Sequence, residues 1–272
     1  MFLIYDTETT GLPKRNDAPL EDVDNWPRMV QIAWQLHDKT GRLIENENYI
    51  IRPDGFDIPF KSTQIHGITT EKAIAEGLPV KEVLEKFRHS LKKAEVLGGH
   101  NLDFDQKVVG PEFIRAGFDY HETELPIADT MESSVDYCAL PGGRGGGYKY
   151  PKLGELYEIL FKSEFKEAHN AAADVNATAR CFLELIRVGV FTNEEVRMTD
   201  EEIELFKEAN PDVIEPADIE IESQVEDFKK INDGLNFGLN EDKKATTDAP
   251  YFHFHNHTSF SILTATTSVE NL

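Results

Sequence analysis

A chain of 272 residues with 40% apolar and 10% aromatic side chains can bury one catalytic-sized core plus a smaller appendage, which excludes wholesale disorder despite 29% charged residues. Two cysteines, Cys138 and Cys181, exclude a disulfide framework or a cysteine-based zinc site; with no basic leader and no membrane-length apolar stretch, no membrane association is expected and the compartment is read as cytoplasmic. The formal charge of -22 argues against long-range capture of nucleic acid, but residues 191–250 alone hold 18 acidic and 6 basic side chains, so local recognition of a strand end is not excluded.

In chain order, Met1–Tyr5 is a short apolar run expected to form a buried strand, and Thr7–Pro13 is expected to turn away from it. Met29–Leu36 and Leu43–Ile51 read as two further strands around the turn signal Lys39-Thr40-Gly41. Val80, Val83, Leu84, Phe87 and Leu91 recur at helical spacing, and a short strand follows at Glu95–Gly98. Asp103–Ala116 is a helix that Pro111 should kink or shorten. The glycine-rich residues 141–147 predict a mobile loop. Helices are expected over Lys152–Phe161 and Asn170–Val188. This alternation predicts an α/β layered domain over residues 1–190. Residues 191–250 read as an acidic, partly helical linker, with a helix near Thr199–Ala209 capped by Thr199 and Glu202.

Three short motifs carry chemistry. Asp6-Thr7-Glu8 follows the first apolar run, and carboxylates at i and i+2 of an extended chain point to one face, where both can reach a hard cation. Alone, such a pair is common surface decoration. His100-Asn101-Leu102-Asp103-Phe104-Asp105 lies between a strand end and a helix start, the edge of an open α/β sheet where ligands bind. Its competing reading is helix capping by Asn101 or Asp103, with Asp105 solvated. His169-Asn170-Ala171-Ala172-Ala173-Asp174 opens the last long helix, where a histidine is often a cap or a surface residue. The three occurring in this order raise the combination above its parts.

That order, Asp-x-Glu, then Asn-x-x-Phe-Asp, then His-x-x-x-x-Asp, resembles the DEDDh superfamily of 3′→5′ exonucleases, which includes the proofreading epsilon subunit of DNA polymerase III. The resemblance spans residues 1 to about 190, and Ile65-His66-Gly67-Ile68-Thr69 and Pro151-Lys152-Leu153 add to it. It implies a ribonuclease H-like mixed sheet flanked by helices. It further implies that Asp6, Glu8, Asp105 and Asp174 hold two Mg²⁺ or Mn²⁺ ions, and that neutral His169 takes the proton of the attacking water. The implied products are nucleoside 5′-monophosphates. By the same resemblance Thr7, Thr9, His66 and Asn101 grip the terminal nucleotide of a single-stranded or frayed DNA 3′ end, with RNA the competing substrate. DNA polymerase III components are the implied partners. A non-catalytic module that recruits a polymerase through its acidic tail is the alternative from another class.

Lys14, Arg15, Arg144, Lys149 and Lys152 are candidate phosphate contacts with Tyr148 and Tyr150 for stacking, against the reading of an ordinary solvated loop. Residues 251–272 differ in character: His253, His255 and His257 alternate along a β-like stretch as a metal-binding comb, or are a processing or cloning artefact. The segment resembles the opening motif of the polymerase and histidinol phosphatase (PHP) domain of DNA polymerase III alpha subunits, which would make His255 and His257 ligands. Thr264-Ala265 stands where that family has Asp-Gly, so a truncated PHP-like segment and a replication context are the expectation.

Overall fold

The computed structural model describes residues 1–118, 125–164, 170–219, 251–254 and 265–268. Its centre is β1 (Phe2–Thr9), hydrogen-bonded on one side to antiparallel β2 (Met29–His37) and on the other to parallel β4 (Val96–Gly99). β3 (Leu43–Ile50) and β5 (Ile127–Asp129) complete a five-stranded mixed sheet in the order β3-β2-β1-β4-β5. Because β1, β4 and β5 run the same way, Glu8, Gly99 and Asp129 end on one edge of the sheet. That edge carries the site.

Both faces of the sheet are covered, which explains the unbroken apolar start of β1. Leu3 and Tyr5 pack with Val83, Leu84 and Phe87 of α3 (Val80–Leu91) and Val108 and Phe113 of α4 (Leu102–Arg115). Phe2 and Ile4 face the other way, onto Leu156 of α7 (Leu153–Phe161) and Phe182 and Leu185 of α8 (Ala171–Arg187). Each such large side chain fully removed from water contributes about 1.5–3 kcal/mol. The alternation continues past Tyr5, so Asp6 and Glu8 belong to the α8 face and Thr7 to the α4 face. Gly98 permits the close approach of α8: a Cβ there would stand 2.8 Å from Ile4 Cγ1 and 2.9 Å from Phe182 Cε2.

Several expectations are corrected. β1 does not end at Tyr5; pairing with β2 holds it extended to Thr9, so the acidic pair lies inside the strand rather than in a turn. Pro111 does not shorten α4, which runs on to Arg115. The residue before it is Gly110, which has no Cβ to clash with the proline ring, and buried Val108, Val109 and Phe113 hold the helix on the sheet. The glycine-rich segment forms a loop closed on itself: Pro141 bridges Tyr148, and a single 3-10 turn at Arg144–Gly146 reverses the chain through Gly145 at φ 71°. The sequence reading also left out α1 (Phe60–His66), α2 (Thr70–Glu76), β5, α5 (Thr130–Ser133) and α6 (Val135–Cys138), all too short for a periodic signal.

The packed body passes the boundary expected at residue 190. Thr199 and Glu202 form the anticipated capping box of α9 (Asp200–Ala209), and Phe206 of that helix is buried in the same core as Phe2 and Phe182. Beyond it the chain runs back over α8, where the Ile214 N–H donates to Glu184 at 3.0 Å and Arg180 donates to the Ile214 carbonyl at 2.7 Å. Residues 251–254 and 265–268 pair as a two-stranded antiparallel ribbon, β6 and β7, in a sheet of their own. His255, His257, Thr264 and the remainder of the acidic stretch lie outside the described residues. Among the described residues no helix is long and apolar enough to cross a membrane.

Candidate active site

Strand geometry and helix packing bring the acids together. Asp6 and Glu8 stand two residues apart on one face of β1, opposite Ala33 and Gln31 of β2. Ala33 is the seat of α8, whose small residue Ala171 and Val175 pack on it and set the helix close enough for Asp174 to reach the strand. Carboxylate oxygens of Asp6, Glu8 and Asp174 all lie within 4.8 Å of one another. The start of α8 is fixed twice: Asn170 Oδ1 accepts the Ala172 N–H at 3.1 Å, and Gln31 Oε1 accepts the Ala171 N–H at 3.4 Å. His169, one residue before that cap, lies outside the described residues.

Asp105 approaches from the other face of the sheet, on the first turn of α4. Its Oδ1 accepts both the backbone N–H of Thr7 at 3.0 Å and the Thr7 hydroxyl at 2.7 Å. Thr7, itself buried, is therefore turned onto a carboxylate rather than into the cleft.

The charges explain what such a cluster needs. Burial, and then the neighbouring Asp105, Asp174 and Glu8, hold the Asp6 carboxyl well above the usual carboxylate range. Burial, with Asp174 and Asp105, pushes Glu8 up to about 8. Asp105 rises to about 7, with burial the main cause and the two Thr7 hydrogen bonds opposing it. Among the described residues no basic side chain pairs with Asp6 or Glu8. A half-buried set of hard oxygen donors with excess negative charge fits a divalent cation such as Mg²⁺ or Mn²⁺ and fits no thiolate-seeking metal.

The remaining expected residues have attachments of their own. Thr9 Oγ1 donates to the Gly11 carbonyl at 2.8 Å, closing the end of β1. His66 is buried in the last turn of α1, and its Nδ1 accepts the Ile68 N–H at 3.1 Å, which places the proton of a neutral ring on Nε2. Asn101 takes the left-handed conformation, φ 70° and ψ 44°, with an exposed side chain that makes no cap. Asp103 does not cap α4 either, since it pairs with Lys107 at 2.6 Å. Among the candidate phosphate contacts, Arg15 pairs with Asp17 and Lys149 with Glu155.

Two buried acids escaped the sequence reading. Asp129, at the end of β5, accepts the N–H groups of Asn101 at 3.0 Å and Leu102 at 2.7 Å, and those of Met131 at 2.8 Å and Glu132 at 3.4 Å. One carboxylate thus caps α4 and α5 together and anchors the helix that carries Asp105. Its visible signal was an Asp before a short helix, masked by a strand of three residues. Glu112 accepts from Arg28 Nε at 2.8 Å, the Met29 N–H at 3.1 Å and Arg115 at 2.9 Å. Through Arg28, whose N–H donates to Thr10 Oγ1 at 2.9 Å, it pins the end of the catalytic strand to α4.

A mixed sheet with helices on both faces, and carboxylates converging where its parallel strands end, is the ribonuclease H-like architecture of metal-dependent nucleases. Residues 3–182 match the RNase_T exonuclease family, and the chain belongs to that family. It is 31% identical over 188 residues to a DNA polymerase III subunit epsilon-like protein of Rhodobacter capsulatus, covering 68% of this chain and 23% of the relative. To the 3′-5′ exonuclease DinG of Bacillus subtilis it is 30% identical, over 68% of this chain and 17% of that protein. The crystal structure of E. coli Exonuclease I in complex with a dT13 oligonucleotide superimposes with a TM-score of 0.53 and 26% identity, over 65% of this chain and 39% of that one. The chain thus spans well under half the length of each of these proteins.

Proposed function

We propose that this chain is a 3′→5′ exonuclease that shortens DNA ends to nucleoside 5′-monophosphates, in proofreading or end trimming beside a replicative polymerase in the cytoplasm. The observation that carries the reading is the cage formed by Asp6, Glu8 and Asp174, whose oxygens converge within 4.8 Å at the edge of an exonuclease-family fold. These three and Asp105 would hold two Mg²⁺ or Mn²⁺ ions, which when bound polarise the scissile phosphate and stabilise charge on the attacking and leaving oxygens.

The chain's own residues do the rest. Neutral His169, five residues before Asp174 in the sequence, takes the proton of the attacking water. Thr7 fixes the direction in which Asp105 presents its second oxygen. Thr9, His66 and Asn101, at or near the ends of β1, α1 and β4, line the approach of the terminal nucleotide. Two relatives support the DNA and polymerase context by what they are: an epsilon-like protein and a nuclease crystallised on a DNA oligonucleotide.

The test is release of nucleotides from 3′-labelled single strands with Mg²⁺ or Mn²⁺, DNA and matched RNA in parallel. Expected are stepwise shortening of the DNA, little of the RNA, and loss of at least about a thousandfold in His169→Ala and Asp174→Asn while both fold normally. Nucleotide release that survives Asp6→Ala refutes the assignment of the site, and no cation-dependent release at all refutes the reading in favour of a non-catalytic recruitment module.

A further inference from the structure

Beyond the carboxylates, the same edge of the sheet carries a second recess that none of the catalytic residues enters. A cavity of about 890 Å³ opens between α5–α6 and the glycine-rich loop, with Glu132 and Asp136 on one wall and Tyr148 and Tyr150 on the other. The two tyrosines are 52% and 60% exposed, and among the described residues neither ring stacks on another aromatic. Rings exposed in this way are free to stack on a flat partner.

The loop holds them firmly. The Lys149 N–H donates to the Leu140 carbonyl at 2.9 Å and the Gly143 N–H to the Gly147 carbonyl at 3.0 Å. A Cβ at Gly143 would stand 2.1 Å from the Tyr148 carbonyl oxygen, so the glycine permits backbone to lie directly on backbone. Tyr148 and Tyr150 line the recess together with Lys149, which lies between them in sequence and pairs with Glu155 at 2.6 Å. His100, at the end of β4, ties the segment to the catalytic edge: Nε2 meets the Pro151 carbonyl at 3.1 Å and Nδ1 meets Thr130 Oγ1 at 2.9 Å. β5, from which α5 springs, lies two strands from β1, about 10 Å across the sheet.

We infer that Tyr148 and Tyr150 form a stacking platform for unpaired bases a few nucleotides upstream of the end being cut, an inference that rests on the exonuclease reading above. The recess disfavours phosphates, because Glu132 and Asp136 repel them and the one lysine lining it, Lys149, is already paired with Glu155. Bases do, since each presents a π-face whatever its identity and carries no charge. The strand therefore enters with its bases toward the tyrosines and its phosphates toward solvent. Grip of this kind is indifferent to sequence and to the sugar, and it contributes little to the salt dependence that phosphate contacts produce.

The experiment compares a dinucleotide, too short to reach the platform, with a decanucleotide. Tyr148→Ala and Tyr150→Ala should each raise KM for the decanucleotide about tenfold and leave turnover of the dinucleotide unchanged. Tyr→Trp variants at both positions should restore the wild-type KM, and the variant-to-wild-type ratio should hold constant between about 50 and 200 mM salt. Equal KM changes for both lengths, no change for either, or failure of tryptophan to rescue would overturn the platform. Binding of a fluorescent (dT) oligonucleotide in EDTA separates the two readings. If the wild type binds and the alanine variants do not, the platform stands even where no hydrolysis is seen; if all bind equally, it falls even where the nuclease is active.

Discussion

The acidic cluster makes the metal-free protein lose stability as pH rises. Glu8 keeps its proton in the folded state up to about 8, against 4.5 for the ordinary side chain, and Asp105 up to about 7, against 3.8. Between these limits the folded protein holds protons that the unfolded chain has released, so raising the pH favours unfolding. Each such group costs about 1.4 kcal/mol per pH unit. From pH 5 to 7 the two together cost on the order of 5 kcal/mol, and Asp6, held above the usual carboxylate range as well, acts in the same direction. For a domain of roughly 200 residues that corresponds to a fall of about 10–20 °C in Tm. Bound Mg²⁺ or Mn²⁺ would supply the missing countercharge, so the Tm gain on adding it should be small near pH 5 and largest near pH 8. Thermal unfolding followed by circular dichroism in EDTA, and then with excess cation, measures both curves. Glu8→Gln should stabilise the metal-free protein at pH 7.5 and abolish most of the cation's effect. The reasoning is refuted if metal-free Tm is flat or rises between pH 5 and 7, or if the cation shifts Tm equally at both ends.

Two further substitutions probe how the acids are positioned. Asp129→Asn replaces an oxygen that accepts N–H groups from two helix starts, so it should cost about 1–3 kcal/mol in urea unfolding and lower kcat more than it raises KM, because α4 carries Asp105. Wild-type kcat in a destabilised variant would show that the cap does not govern Asp105. Thr7→Val keeps the shape but removes the 2.7 Å hydroxyl bond to Asp105, a bond that lowers the acid's pKa. The acidic limb of the pH–rate profile should move to higher pH with a stability loss of about 1 kcal/mol; an unmoved limb would mean that the backbone N–H of Thr7 suffices.

How far the sequence revealed the site depended on the range of each signal. Asp6 and Glu8 were legible because strand period alone puts i and i+2 on one face, and Asp174 because α8 is long, amphipathic and capped by a recognisable Asn170. Asp105 was legible as a site acid, but its attachment was not: Thr7 and Asp105 are 98 residues apart and meet across the sheet. The same holds for Glu112 and Arg28, 84 residues apart, and for Asp129, whose strand is three residues long. Local pattern thus located the acids that converge at the sheet edge, and missed the groups that hold them, because holding is done by contacts between distant segments. The net charge follows the same logic. A value of -22 describes the whole chain, whereas on the proposed reading a phosphate would meet a few carboxylates that a bound cation would neutralise. Affinity that rests on such ions and on neutral aromatic faces needs no basic surface, so an acidic chain can hold a polyanion by its end.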